Sequence, residues 1–393
     1  MNKDSFLHGI LAAILTTLPI GAVYAFSLFS SSIASICGVT LSEIQWAFSL
    51  SIFFLGMGAA FGGPIVEKNP KHAILYAMGF FVAGNILTAL GLTFGQFWLV
   101  LIGYGLFNGI GQGLGYLSPV KTLMLWFPNH KGLASAVSIV SFGLGSTLCT
   151  MLYSCLSYIP LQCFFVIVSG LYGVMMFCGS KLICKPEGCQ NNDNPVLNNS
   201  FSYHKLLTDR VFWQSWLFMF LNISAGLALI GCSANIFKDA SIEHLTVLLL
   251  MLAGIFNGGF RLIFAWLSDM LKARINVWLI ISFLSFIILS VSSIYYPFIG
   301  IGILLLNATY GGGFSTLPSV LSETYDNTCL SRIHGAVLSA WAIAGLAGNN
   351  FAIFISSTFG SFWPLIIVLS LIHLLNWLNV FFLRKRLYTC DSK

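Results

Sequence analysis

CKPEGCQNNDNPVLNNS, residues 184–200, opens the one long polar segment of the chain, which runs from Lys185 to Asp209. On both sides of it apolar runs recur to the ends of the sequence. Of 393 residues 57% are hydrophobic and only 8% charged, against about 25% charged in a soluble domain, so a water-facing surface cannot be built from this composition. The solvent for most of the chain must be a bilayer. The polar segment then reads as a flexible cytosolic linker. It divides an N-terminal bundle over 1–184 from a C-terminal bundle over 210–393, with 185–209 between them.

A spanning helix needs about 20 mostly apolar residues, because its backbone polar groups find no water and must pair internally. Windows of this kind lie at 10–33, 45–66, 73–92, 97–119, 132–154, 160–183, 211–236, 245–267, 275–294, 297–319, 335–358 and 361–383. The fold class expected is an all-α membrane protein of twelve transmembrane helices in two six-helix bundles. The narrowest division is Tyr295-Tyr296-Pro297. Of the 18 Lys and Arg residues, Lys238 alone falls at the outer ends of these spans and Arg261 alone inside one. The rest gather at one set of ends, which by the positive-inside rule puts both termini in the cytosol. The net charge of +6 is therefore a topology signal and calls for no nucleic-acid partner. The N-terminus, with Pro19 and Gly21 inside its apolar run, reads as a retained first helix rather than a signal peptide. The ten cysteines have no Cys-x-x-Cys spacing and read as small buried packing residues.

The two halves resemble each other at an offset of about 200 residues. Asn108 and Pro119 on the fourth span match Asn307 and Pro318 on the tenth. Gly132 and Gly145 on the fifth match Gly335 and Gly348 on the eleventh, and Glu67 after the second span matches Asp269 after the eighth. Six spans followed by six in the same topology is a common way to build two bundles that rock about a midplane site.

Arg261 lies one turn after Asn257 on the same face of the eighth span, and no Asp or Glu falls deep in any span. A cation at that depth costs at least about 2.5 kcal/mol, so it should face a cavity or a partner. An incoming carboxylate is the natural one, through a bidentate charge-assisted contact; the alternative is an arginine bonded to helix-end carbonyls. Asn108, Gln112 and Tyr116 fall at steps of four on the fourth span, as a polar stripe expected to line the bundle interior, and Tyr24 and Ser27 do the same on the first. Such groups could orient a small anion, or be ordinary helix-packing residues. His373, with Asn376 one turn on, reads as packing or helix bonding.

The turn Gly63-Pro64-Ile65-Val66-Glu67-Lys68-Asn69-Pro70-Lys71 resembles the G-x-x-x-D-R-x-G-R signature of the major facilitator superfamily, with Pro70 in the second glycine position, and Ala265 through Asp269 to Arg274 is a looser copy. The resemblance implies a gating role for Glu67, Lys68, Lys71, Asp269 and Arg274, the acid capping a helix end and pairing with bases across the bundle interface. GAVYAFSLF (21–29), GIGQGLGYLSPVKTLMLWFPNHKGLAS (109–135), NGGFRLIFAWLSD (257–269) and SAWAIAGLAG (339–348) together resemble the oxalate/formate antiporter family, which is related to the monocarboxylate transporters. The family's substrate arginine occupies the position of Arg261. Two departures stand out: Trp341 replaces a lysine that gives oxalate carriers a second cation, and Asn349-Asn350 replace glycine and proline. One fixed charge suits one carboxylate, which favours formate, pyruvate or lactate over oxalate.

The expected substrate site is Arg261, Trp341, Tyr24, Tyr116, Gln112, Asn108 and Asn257, in a carrier of a small organic anion working by alternating access. The partners are the solute, the bilayer and either protons or a counter-substrate; a monomer without cofactor or metal is expected. Competing readings are a carrier of an amino acid or other zwitterion and a non-transporting receptor. No nucleophile-base spacing, metal cluster or phosphate loop suggests an enzyme.

Overall fold

The computed structural model of the protein describes residues 3–126, 131–184, 203–325 and 327–389. Among them twelve helices are long and apolar enough to cross a membrane. We number the helix of each span in chain order: α1 Lys3–Ile20, α2 Leu41–Phe61, α3 Pro70–Phe94, α4 Asn108–Trp126, α5 Lys131–Cys155, α6 Leu161–Leu182, α7 Arg210–Asp239, α8 Thr246–Met270, α9 Asn276–Ile294, α10 Ile299–Leu321, α11 Asn327–Phe359 and α12 Trp363–Thr389. Each falls on one expected window, although windows 10–33 and 97–119 are filled by α1 and α4 only together with the helical stretches that adjoin them. Only a single 3-10 turn, Tyr296–Phe298, separates α9 from α10. Residues 185–202 of the expected linker lie outside the described residues; Tyr203–Thr208 form a short helix leading into α7.

Local chemistry sets the helix ends. Thr40 and Glu43 form a capping box at the start of α2, with the Thr40 N–H donating to Glu43 Oε2 at 2.7 Å and the Glu43 N–H to Thr40 Oγ1 at 3.2 Å. The Asn69 side chain accepts from the N–H groups of Lys71 and His72. Pro70 follows at the first position of α3, where its missing N–H costs nothing. The residue that departs from the superfamily signature is thus a helix starter.

The first span is broken. Pro19 can donate no hydrogen bond to the preceding turn, and Gly21–Ala25 tighten into a 3-10 stretch before Ser27–Cys37 resume as α-helix. A π-helical stretch, Leu101–Phe107, precedes α4.

Within the first half α1 packs on α4, α5 and α6, α3 on α4 and α6, and α2 on α4; in the second half α7, α8 and α9 repeat the same partners six helices later. The internal repeat is therefore spatial. Between the halves α2 packs on α11 and α5 on α8, two contacts that exchange under the same pairing. The matched glycines show why these positions repeat. A Cβ on Gly145 of α5 would lie 2.4 Å from the Leu18 carbonyl of α1, and one on Gly348 of α11 would lie 2.2 Å from the Ser224 carbonyl of α7. Only glycine lets each helix pair approach so closely.

The cysteines correct one expectation. Cys149 and Cys232 are buried, but Cys155, Cys163 and Cys178 lie on the outside of the bundle. In a bilayer an apolar environment does not require the protein interior, because lipid supplies it.

Candidate substrate site

Asn257 and Arg261 share one face of α8 and are each 1% exposed. The Nε and Nη2 groups of Arg261 both donate to Asn257 Oδ1, at 3.0 and 2.8 Å. Asn257 Nδ2 donates to Asn307 Oδ1 on α10 at 3.3 Å, and Asn307 Nδ2 to the Ile303 carbonyl at 2.9 Å. This chain fixes which way the Asn257 amide faces, and through it the plane of the guanidinium. Of the five N–H groups of Arg261, Asn257 takes two, and the Tyr24 hydroxyl is a further hydrogen-bond neighbour of the guanidinium. Among the described residues no Asp or Glu pairs with it.

Aromatic rings enclose it. The guanidinium carbon lies 5.5 Å from the Phe314 ring centroid and 6.0 Å from that of Phe142, within cation–π range. Five rings form a closed circuit: Tyr24 to Phe142 at 5.3 Å, Phe142 to Trp341 at 5.9 Å, Trp341 to Phe314 at 4.7 Å, Phe314 to Tyr310 at 5.3 Å and Tyr310 back to Tyr24 at 5.8 Å. Tyr116 packs edge-on against Phe142 and Trp341. The Tyr24 and Tyr310 hydroxyls bond at 2.7 Å. Tyr24, Tyr116 and Phe142 come from the first bundle; Arg261, Tyr310, Phe314 and Trp341 come from the second. Tyr24 reaches the circuit from the 3-10 break in the first span.

The structure thus brings Arg261, Asn257, Trp341, Tyr24 and Tyr116 together. Asn108 and Gln112 are not in this cluster, and the expected single stripe on α4 is split. Asn108 exchanges bonds of 3.4 and 3.5 Å with Asn85 on α3, and Gln112 accepts from Ser51 Oγ at 3.3 Å. Both line a cavity of only about 20 Å³ inside the first bundle. Steps of four advance about 40° each around a helix, so the stripe winds from the bundle interior to the interface, and only Tyr116 arrives there. Phe142, Tyr310 and Phe314 are the residues missed from sequence. Tyr310 and Phe314, four apart beside Asn307, left a helical signal; Phe142 left none beyond its place before Gly145.

A cavity of about 430 Å³, lined among others by Tyr116, Lys121, Trp216, Pro318, Arg332 and His334, runs from the end where the chain termini lie up to Tyr116. The opposite end is closed between the bundles. Asn349 Nδ2 on α11 donates to the Gln45 carbonyl and to Ser49 Oγ on α2, each at 3.1 Å, Asn350 Nδ2 donates to Ser49 Oγ at 3.3 Å, and Gln45 Nε2 donates to the Gly231 carbonyl of α7 at 3.2 Å.

The expected gating groups divide. The Glu67 side chain lies outside the described residues, and the side chains of Lys68 and Lys71 make no hydrogen bond or ion pair among them. Arg274 lies 3.7 Å from Asp269 and 3.8 Å from Glu323. Its backbone N–H donates to Glu323, which also accepts from Tyr388 at 2.8 Å. This network ties α8, α10 and α12 within the second bundle, so Asp269 and Arg274 do not bridge the bundles as the signature had implied. The reason is local: Arg274 follows α8 directly and lies between Asp269 of α8 and Glu323 at the end of α10, both in its own bundle. The acids at the opposite end are also engaged, Glu43 in its capping box and Asp239 accepting from Tyr296, Ser361 and the Phe362 N–H.

A sequence model described as Major Facilitator Superfamily matches residues 10–349. The chain is 26% identical over 353 residues to the uncharacterized MFS-type transporter YhjX of Escherichia coli (strain K12), which covers 86% of this chain and 85% of that protein. It is 23% identical over 377 residues to the oxalate:formate antiporter of Oxalobacter formigenes, with 91% and 86% covered. A shorter match of 110 residues, 26% identical, links 28% of the chain to 20% of the apicoplast pyruvate carrier 1 of Toxoplasma gondii.

Proposed function

Because the chain belongs to the Major Facilitator Superfamily, and is therefore a multi-pass membrane transporter and not an enzyme, we propose that it carries a small monocarboxylate by alternating access. The observation that carries the reading is Arg261, a cation 1% exposed at the bundle interface, with N–H groups beyond the two that Asn257 takes and no acidic partner among the described residues. A carboxylate entering the aromatic circuit would accept from those groups end-on, while its small apolar remainder lies against the rings. The first bundle (1–184) and the second (210–393) would then close around it in turn, joined by 185–209, with both termini in the cytosol of a bacterial cell and the chain acting as a monomer.

Trp341 in the lysine position argues against oxalate. A second carboxylate would sit in a low-dielectric site without a cation, and an uncompensated buried charge costs several kcal/mol. With no acid deep in a span, coupling would run by exchange or by a proton travelling with the solute. Uptake of labelled formate, pyruvate, lactate, oxalate and amino acids into proteoliposomes, with and without internal counter-substrate, tests this. Monocarboxylates should accumulate and oxalate should not; accumulation of amino acids unaffected by pyruvate would replace the reading with the zwitterion one.

A further inference from the structure

We infer that Trp341 determines specificity as a hydrogen-bond donor: its indole N–H takes a second acceptor oxygen of the solute, beside the carboxylate, and so selects 2-oxo and 2-hydroxy acids over plain carboxylic acids of equal size. The inference rests on the carboxylate reading and narrows it.

Trp341 is 1% exposed, and its Nε1, an atom that can only donate, has no acceptor. Buried polar groups almost always find partners, and a donor left open marks a place where something else completes the bond. This one stands at the transport site and not in a remote core. Trp341 and Arg261 are both against the same two rings, Phe142 and Phe314, so the two donor-bearing side chains are neighbours across one pair of rings. Around the circuit the Tyr24 and Tyr310 hydroxyls bond each other and Asn257 is bonded at both ends of its amide, whereas the Trp341 N–H has no acceptor among the described residues. A carboxylate satisfies Arg261 and offers nothing further to a group on the far side of its own carbon chain. A keto or hydroxyl oxygen on C2 does. Formate has no such atom, and propionate has a methylene there. A site built to hydrogen-bond a substrate oxygen rejects the analogue that lacks it, because its own donor is left unpaired.

The competing explanation is that the N–H points into the face of a neighbouring ring, an interaction that would satisfy it weakly without any solute. The test is the stabilisation against heat of the purified protein in detergent, titrated with formate, propionate, lactate and pyruvate and read as the concentration giving half the shift. Lactate and pyruvate should act at concentrations about tenfold below propionate, the worth of one hydrogen bond. Trp341→Phe should abolish the difference between propionate and the two 2-substituted acids measured in the same variant, and Trp341→His, which restores a ring N–H, should recover part of it. If Trp341→Phe does not fold, the wild-type series together with Trp341→His decides. Four acids binding alike in wild type, or a preference that survives Trp341→Phe, overturns the inference and leaves the carboxylate reading standing. Failure of all four acids to stabilise the protein overturns both.

Discussion

Arg261 is held before any solute arrives. Asn257 takes two of its N–H groups, Asn307 aims Asn257, and the Ile303 carbonyl anchors Asn307. Each link costs ordering entropy in advance, so little remains to be ordered when an anion binds. Arg261→Lys keeps the charge and loses the planar fork. Charge-assisted bonds are worth about 1.5–3 kcal/mol, so labelled-monocarboxylate uptake should fall by roughly 10- to 100-fold, and Arg261→Ala should abolish it while yield and gel-filtration behaviour stay those of wild type. Asn257→Ala should raise the KM for uptake several-fold, since the guanidinium remains but loses its fixed plane. Wild-type uptake by Arg261→Ala would remove Arg261 from the pathway.

At the scale of the helix, two kinds of local irregularity make the site. The 3-10 stretch Gly21–Ala25 carries Tyr24 out of the register of α1, and Gly145 and Gly348 let α5 and α11 approach α1 and α7 closely enough to bring Phe142 and Trp341 into one circuit. Gly348→Val would place side-chain atoms against the Ser224 carbonyl, a backbone atom that cannot rotate aside. We expect a fall in melting temperature and in folded yield, with a loss of uptake as α11 is pushed outward. Gly79→Ala is the control. A Cβ there meets nothing within 4 Å on α3, and replacing helical glycine by alanine is favourable by up to about 1 kcal/mol, so melting temperature should hold or rise. Equal losses in both variants would mean that helix approach is not what Gly348 provides.

For the molecule as a whole, the two ends of the bundle interface differ. A cavity reaches Tyr116 from the terminal end, while Asn349, Asn350, Gln45 and Ser49 hold α2 to α11 at the other. In the alternating-access reading those bonds exist only while that end is closed, so they would bias the equilibrium between the two open states. Asn349→Ala removes two of them, worth about 1–3 kcal/mol together. A cysteine placed at Ile52, one turn on from Ser49 and buried against Gly345 of α11, should then react several-fold faster with a membrane-impermeant maleimide added outside intact cells than it does with Asn349 present. An unchanged rate would show that the clamp follows closure without favouring it.

Length, composition and the spacing of apolar runs determined the membrane class, the twelve spans and the two-fold internal repeat, because a bilayer imposes the same demand on every crossing segment and leaves it in the sequence. The depth of Arg261 and its pairing with Asn257 were legible for the same reason: a lone cation in an apolar run stands out, and residues four apart share a helical face. Which residues surround that cation was decided only by the tertiary structure. Asn108, Gln112 and Tyr116 look equivalent along α4, yet Asn108 and Gln112 bond within the first bundle and Tyr116 alone meets the second. Phe142, Tyr310 and Phe314 look like any of 35 phenylalanines and 13 tyrosines. They become a site because the α5–α8 and α2–α11 packings set them around one arginine. A residue's facing depends on helix rotation and on the partner across the interface, and neither is written in the spacing of a single span.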